Sequence, residues 1–199
     1  MNLRWYGDRA LLFDTASPLG FGSAVRLAAP IGLMDVVPGP ASVLVCFNKP
    51  AEARAALEGL RSLRPVEAAL ALQTEVVLPI VYDGADLDDV AAATGCSVAQ
   101  VVSRHSTGSY LVAVTGFAPG FGYLSGLDPV LHLPRRAEPR TVVPAGSVAI
   151  ADRWTGVYPV ASPGGWHLLG RTAEVLWDLD RDPPALLQPG VRVRFESGR

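Results

Sequence analysis

The sequence predicts an α+β protein that is mainly β: a small α/β layer, then a closed or nearly closed β-barrel. Three observations predict it. Six short strand-like runs separated by Gly/Pro turns fill the stretch from Ser109 to Phe195. Glycine and proline are denser from His105 onward, at 12 and 10, than before it, at 8 and 7. The opening stretch instead mixes strand pairs with an apolar-striped helix. The seam falls near residues 62 to 75, giving an α/β unit over 1–70 and a barrel unit over 74–199.

In chain order, Leu3–Tyr6 and Ala10–Phe13 read as short strands around Gly7-Asp8-Arg9. Phe21–Ala28 is a helix closed off by Pro30. Leu33–Val37 and Ser42–Phe47 carry β-branched residues on either side of Pro38-Gly39-Pro40, a proline-stiffened hairpin pattern. Ala51–Ser62 is a helix with Pro50 at its first turn and Ala53, Ala56, Leu57 and Leu60 on one stripe. Arg64–Gln73 reads as a linker.

Thr74–Val81 is a strand whose Pro79 suits an edge. Asp86–Ala93 is a helix ending at Gly95, and Ser97 with Gln100 forms a capping box for a helix reaching about His105. The barrel strands are expected at Ser109–Thr115, Ser147–Ala151, Val157–Val160, Trp166–Leu169, Ala173–Asp178 and Val191–Phe195.

Composition narrows the function classes. With 49% hydrophobic and 18% charged residues over 199 positions, the chain is able to bury a real core, which excludes a disordered tail. Lys+Arg 17 against Asp+Glu 19 leaves a net charge of -2 and no basic footprint for nucleic acid. Met1–Tyr6 lacks a signal-peptide apolar core, and no window approaches about 18 uninterrupted apolar residues, so a soluble, cytoplasmic chain without a membrane partner is expected. Cys46 and Cys96 lack metal-ligand spacing, the three histidines form no i,i+4 pair, and no metal site is expected. Lys49, the only lysine, follows Asn48 rather than glycine, so there is no phosphate loop.

Three segments carry chemistry. Gly116-Phe117-Ala118-Pro119-Gly120-Phe121-Gly122-Tyr123 alternates glycines with aromatics after a strand, which suits either a ligand groove or a buried turn at the barrel end. Arg140 to Val148 offers a guanidinium, the Ser147 hydroxyl and turn N–H groups for an anion, or an ordinary hairpin beside a surface arginine. Arg135-Arg136 reads as a solvated loop. Ser162-Pro163-Gly164-Gly165-Trp166-His167 through Arg171-Thr172 is the densest constellation: either Gly164 and Gly165 present N–H groups to an oxyanion, His167 acts as acid or base and Arg171 holds an anion, or Gly164-Gly165 is a turn with Trp166 in the core and His167 exposed. Strand alternation puts Trp166 and Leu168 on one side and His167 and Leu169 on the other. His105 is either a general base or a helix-end histidine favoured by the dipole.

In order, His105-Ser106, Gly116-Phe117-Ala118-Pro119-Gly120-Phe121, Leu127-Asp128-Pro129, Pro139-Arg140-Thr141, Val143 to Val148, Thr155-Gly156-Val157-Tyr158-Pro159, Ser162 to Trp166, Gly170-Arg171-Thr172 and Leu187-Gln188-Pro189-Gly190 resemble the allophanate hydrolase subunit 1 family. That family includes the B component of bacterial 5-oxoprolinase and KipI-type kinase inhibitors. The resemblance spans about Leu3 to Phe195 and is strongest after His105. It departs at Gly122, where proline or alanine is frequent, and at His167, where glutamine is common.

The resemblance implies a cyclophilin-like β-barrel behind the α/β unit. It implies a hydrolase subunit acting with a second cyclophilin-like subunit and a third subunit, using ATP to open the small amide 5-oxo-L-proline to glutamate. The alternatives are an allophanate-type amide hydrolase subunit, or an inhibitor that binds a sensor histidine kinase. For the hydrolase, His105, Arg140 and Arg171 are the expected catalytic residues. Phe117, Pro119, Gly120, Phe121, Tyr123, Ser147, Gly164, Gly165 and Trp166 are the expected substrate contacts. A docking protein would instead expose Phe117, Phe121 and Trp166.

Overall fold

Period-two alternation organises the first unit. In β2 (Ala10–Asp14) and β4 (Ser42–Phe47), Leu11, Phe13, Val43, Val45 and Phe47 all point to one buried face. With β1 (Leu3–Tyr6) and β3 (Leu33–Pro38) these strands form an antiparallel sheet in the order β1-β2-β4-β3. Phe21 and Val25 of α1 (Pro18–Ala28) and Ala53 and Leu60 of α2 (Pro50–Ser62) close the core over that face. Both helices start on a proline, whose missing N–H would have had no helical partner there. α1 therefore begins earlier than the expected Phe21. The computed structural model describes residues 2–66 and 75–198 and divides into two units, Met1–Gln73 and Thr74–Arg199. Of the expected linker, residues 67–73 lie outside the described residues.

The second unit is a barrel-like sheet. Its strands are β5 (Glu75–Ile80), β6 (Tyr110–Thr115), β7 (Gly122–Ser125), β9 (Ser147–Ala151), β10 (Trp154–Val157), β12 (His167–Arg171) and β13 (Arg192–Ser197). They run in the order β12-β9-β10-β7-β6-β13-β5, with only β13 and β5 parallel among these pairs. Just beyond β5, Val81 bridges Arg171 at the end of β12, so the two edge strands of the sheet meet. A separate ribbon pairs β8 (Arg140–Val143) with β11 (Ser162–Gly164).

α3 (Leu87–Thr94) and α4 (Val98–Ser106) form the helical excursion between β5 and β6. The Ser97 capping box forms as expected, with Gln100 N–H donating to Ser97 Oγ and Ser97 N–H donating to Gln100 Oε1. Leu87, Val90, Ala91 and Val101 from these helices join Leu78, Tyr110, Ile150 and Phe195 in one apolar core.

Strand β9 is buried on both sides, and its alternation separates two cores. Val148 and Ile150 belong to the main core, whereas Ala149 and Ala151 belong to a second cluster with Phe121, Val143, Tyr158, Trp166 and Leu168. The aromatic residues thus pack against the opposite face of β9 from the barrel core.

Some strand expectations are corrected. The strand expected at Val157–Val160 is β10, ending at Val157, because the chain turns through Tyr158 and Pro159. The expected Ala173–Asp178 strand makes only an isolated bridge, Trp177 to Ala185. The closing bridge occupies the edge of β12 just before it. β7, β8 and β11 lack a strand signal in the sequence, since Gly122 and Gly164 interrupt apolar alternation and β8 starts on a charged residue.

Candidate functional site

The second aromatic cluster lines an open groove of about 290 Å³. Phe117, Phe121, Tyr123, Tyr158 and Trp166 supply its rings, with Pro139, Pro163, Gly164 and Gly165 between them and Arg135 and Arg136 as its charged residues. The rings meet edge to face: Phe121 lies 5.6 Å from both Tyr158 and Trp166 and 4.9 Å from Tyr123, centroid to centroid. Such contacts fix ring orientation beyond what area burial does. Phe121 and Trp166 are 2% and 4% exposed, so only Phe117, at 60%, stands out as a docking face would require.

Phe117 holds a left-handed φ of 70° without being glycine. Such backbone strain costs of order 1–3 kcal/mol and concentrates at ligand sites. Its ring also lines a neighbouring cavity of about 420 Å³, together with Pro119, Gly120, Trp177 and Leu187. The expected contacts therefore divide. Phe117, Phe121, Tyr123, Gly164, Gly165 and Trp166 share the groove, while Pro119 and Gly120 line only the adjoining cavity. Ser147 is 5% exposed inside β9 and lines neither.

Gly164 is required by close approach. A side chain there would collide with the Tyr158 hydroxyl. Burial raises the Tyr158 phenol pKa against the lowering influences of Arg135 and the Trp166 backbone, so its O–H stays a neutral donor.

His105 does not reach the groove. It is 0% exposed in the barrel core, 4.6 Å from the Phe195 ring, and burial lowers its pKa to about 3. Thr155 Oγ1 donates to the Ala149 carbonyl at 3.0 Å and faces His105 Nε2 at 2.9 Å; Tyr82 Oη lies 2.8 Å from Nδ1. This network assigns the proton to Nε2, with Nδ1 accepting from Tyr82. The general-base expectation gives way to a fully paired, neutral core histidine. His167 also turns away from the rings, its Nε2 lying 2.9 Å from the Pro134 carbonyl.

Arg140 is likewise committed elsewhere. It forks onto Asp86 at 2.8 and 2.6 Å, and Arg136 donates to the same carboxylate. Asp86 is 1% exposed and also accepts from the Leu168 N–H at 2.7 Å. Burial pushes its carboxyl pKa up, but the Arg140 hydrogen bonds, the Leu168 N–H and the charges of Arg140 and Arg136 outweigh this and hold it below the usual range. Arg171 is a surface residue, 68% exposed at its side chain and paired with Asp83 at 2.8 Å. Of the three expected catalytic residues, none lines the groove.

The sequence does not single out Tyr158, Arg135, Arg136 or Asp86. Nothing local marks Arg135-Arg136 as a loop that folds over a groove. Asp86 has the pattern of a helix start, yet its side chain makes no cap hydrogen bond. Tyr158 stands in the Thr155–Pro159 segment, where no neighbouring residue gives it a role.

The sequence matches the family model of the carboxyltransferase domain, subdomain C and D, over residues 1–187. The chain belongs to this family. It is 43% identical over 203 residues to the B component of 5-oxoprolinase from Escherichia coli O157:H7, covering 95% of this chain and 92% of that protein. To the B component of 5-oxoprolinase from Haemophilus influenzae it is 47% identical over 123 residues, covering 60% of this chain and 58% of that one. The family resemblance carried by the motifs holds.

Among solved structures, TTHA0988 is similar with a TM-score of 0.83 at 36% identity, over 96% of this chain. This chain spans only 40% of TTHA0988. PH0987 of Pyrococcus horikoshii matches with a TM-score of 0.61 at 31% identity, over 99% of this chain and 97% of that one. Urea carboxylase of Kluyveromyces lactis shares the fold, with a TM-score of 0.72 at 21% identity over 99% of this chain and 22% of its own length.

Proposed function

We propose that this chain is the B-type component of a 5-oxoprolinase-type hydrolase that opens 5-oxo-L-proline to L-glutamate with ATP. The supporting observation is the 43% identity to the Escherichia coli 5-oxoprolinase component over 95% of this chain. Its partners are a second cyclophilin-like subunit and a third subunit. The match to only 40% of TTHA0988 supports a module that works beside further polypeptide. Among the described residues no helix is long and apolar enough to cross a membrane.

The groove supports the amide half of this chemistry. Five rings form apolar walls for a small flat molecule, and the neutral Tyr158 O–H is a donor suited to an amide oxygen. Gly165 allows a ligand to approach the backbone closely, whereas the space beside Gly164 is filled by the Tyr158 hydroxyl. The groove does not fit a triphosphate. It carries two guanidinium groups, one of them tied to Asp86, and no glycine loop with a lysine. ATP is therefore a substrate of the assembly, and no step of this groove runs through it.

The test is ATP-dependent glutamate release from 5-oxo-L-proline with this chain alone, with its two partner subunits, and with the partners lacking it. Turnover only in the complete mixture is expected. Full turnover without this chain, or none in any mixture, overturns the reading.

A further inference from the structure

The charged residues of the groove are of one sign. Arg135 and Arg136 line it, and no carboxylate does so among the described residues. Behind the wall, Asp86 receives both Arg136 and Arg140, so two guanidinium groups share one buried carboxylate. Asp89 acts on Arg140 as well, but it does not line the groove. Arg136 is thereby held on one side while its Nε is buried with no protein acceptor. A buried donor without an acceptor is uncommon enough in folded proteins to call for an explanation. The Arg136 main chain is pinned too, its N–H donating to the Gly165 carbonyl at 2.8 Å across the groove lining.

Arg135 is exposed at the rim, close enough to act on the Tyr158 phenol, and pairs with no acid among the described residues. Two arginines lining one groove beside apolar rings suit a single planar carboxylate on a small apolar body. We propose that Arg135 and Arg136 form a carboxylate subsite of the groove and determine its specificity, with Asp86 as the positioning residue that holds Arg136 in place. This rests on the reading of the groove as an amide-substrate site, but the anion subsite is testable apart from any turnover.

The experiment titrates the full chain with cyclopentanecarboxylate, and separately with cyclopentanemethanol, while following the ¹⁵N–¹H signals of arginine Nε groups. A saturable shift of the Arg136 signal with the carboxylate and none with the alcohol is expected. Arg135→Ala and Arg136→Ala should each weaken that binding about tenfold, the worth of one hydrogen bond to a charged group; Arg194→Ala, on an exposed strand pair, should not. Equal shifts with the alcohol, no Arg136 shift, or an equal loss in Arg194→Ala overturns the subsite.

Asp86→Asn should weaken carboxylate binding about tenfold and displace the Arg136 Nε signal even before ligand is added, with Asp86→Glu recovering part of both. Unchanged affinity in Asp86→Asn overturns the positioning role. Should that variant fail to fold, Arg140→Lys, which breaks the fork but keeps the charge, is to shift the same signal. An unmoved signal in Arg140→Lys then counts against it. In the assembled enzyme the arginine variants should raise KM for 5-oxo-L-proline more than they lower kcat. An inactive wild-type assembly would refute the functional reading while leaving the titration result standing.

Discussion

The main chains of Val81 and Arg171 exchange two hydrogen bonds of 2.9 Å, and this one bridge joins the edge strands of the barrel-like sheet. The join depends on its neighbour Gly170, where a β-carbon would collide with the Val81 carbonyl oxygen and crowd the Tyr82 main chain. Backbone cannot give way as a side-chain tip does. Gly170→Ala should cost about 2–3 kcal/mol, the upper range for overpacking. Urea unfolding should show a lower midpoint with an unchanged slope. An unshifted midpoint would mean that the bridge is not needed for closure.

Stability should fall with acid because of His105. Burial lowers its folded pKa to about 3 from an ordinary 6.5, so the unfolded chain binds the extra proton between those values. The contribution is complete above pH 6.5 and is lost progressively as pH falls toward 3, by up to about 1.4 kcal/mol per pH unit. His105→Gln should be less stable at pH 7, since Tyr82 and Thr155 lose a shaped partner, but its pH slope should be shallower. Parallel curves for the two proteins would contradict the assigned burial.

Two aspartates should differ sharply. Asp86, at 1% exposure, holds two arginines and the Leu168 N–H, so Asp86→Ala strands buried donors and should cost about 3–5 kcal/mol. Asp83 pairs with Arg171 in solvent, and Asp83→Ala should cost no more than about 1 kcal/mol. Because the folded Asp86 pKa lies below its usual value, its contribution is present above that value and is lost as pH falls through the folded one. Thermal melts of both variants at pH 7 decide the ranking.

Phe121 and Phe117 offer a matched pair on one loop. Phe121→Ala should lose about 3–5 kcal/mol, as expected of a ring that is 2% exposed. Phe117→Ala, removing a ring that is 60% exposed, should change stability by under about 1 kcal/mol. In the assembled enzyme, however, it should raise KM, because its ring is a groove wall. A large stability loss from Phe117→Ala would place that ring in the core instead.

What the sequence determined by itself is what local physics decides. Short apolar runs between turn residues placed β1, β2, β4 and β9, the proline and capping-box signals placed α2 and α4, and the spacing of turns foretold a barrel. The face split between Trp166 with Leu168 and Leu169 is also a matter of period two, and the two cores keep it. The composition of the aromatic glycine loop left a groove and a buried turn both open, and the structure packs Phe121 while leaving Phe117 exposed.

Only the tertiary structure decided which polar side chains face one another. His105 has the sequence setting of a base at a helix end, but whether an imidazole meets solvent depends on Phe195, Tyr82 and Thr155, which are distant in sequence. Arg140 and Arg136 have the local settings of a clamp and a solvated loop. Asp86, 54 and 50 residues earlier, takes the first out of the groove and anchors the second in its wall. Hydrogen bonds and burial act across space, whereas propensity and periodicity act along the chain, so most of the strands were readable in the sequence and the gathering of Arg136 and Arg140 onto Asp86 was not.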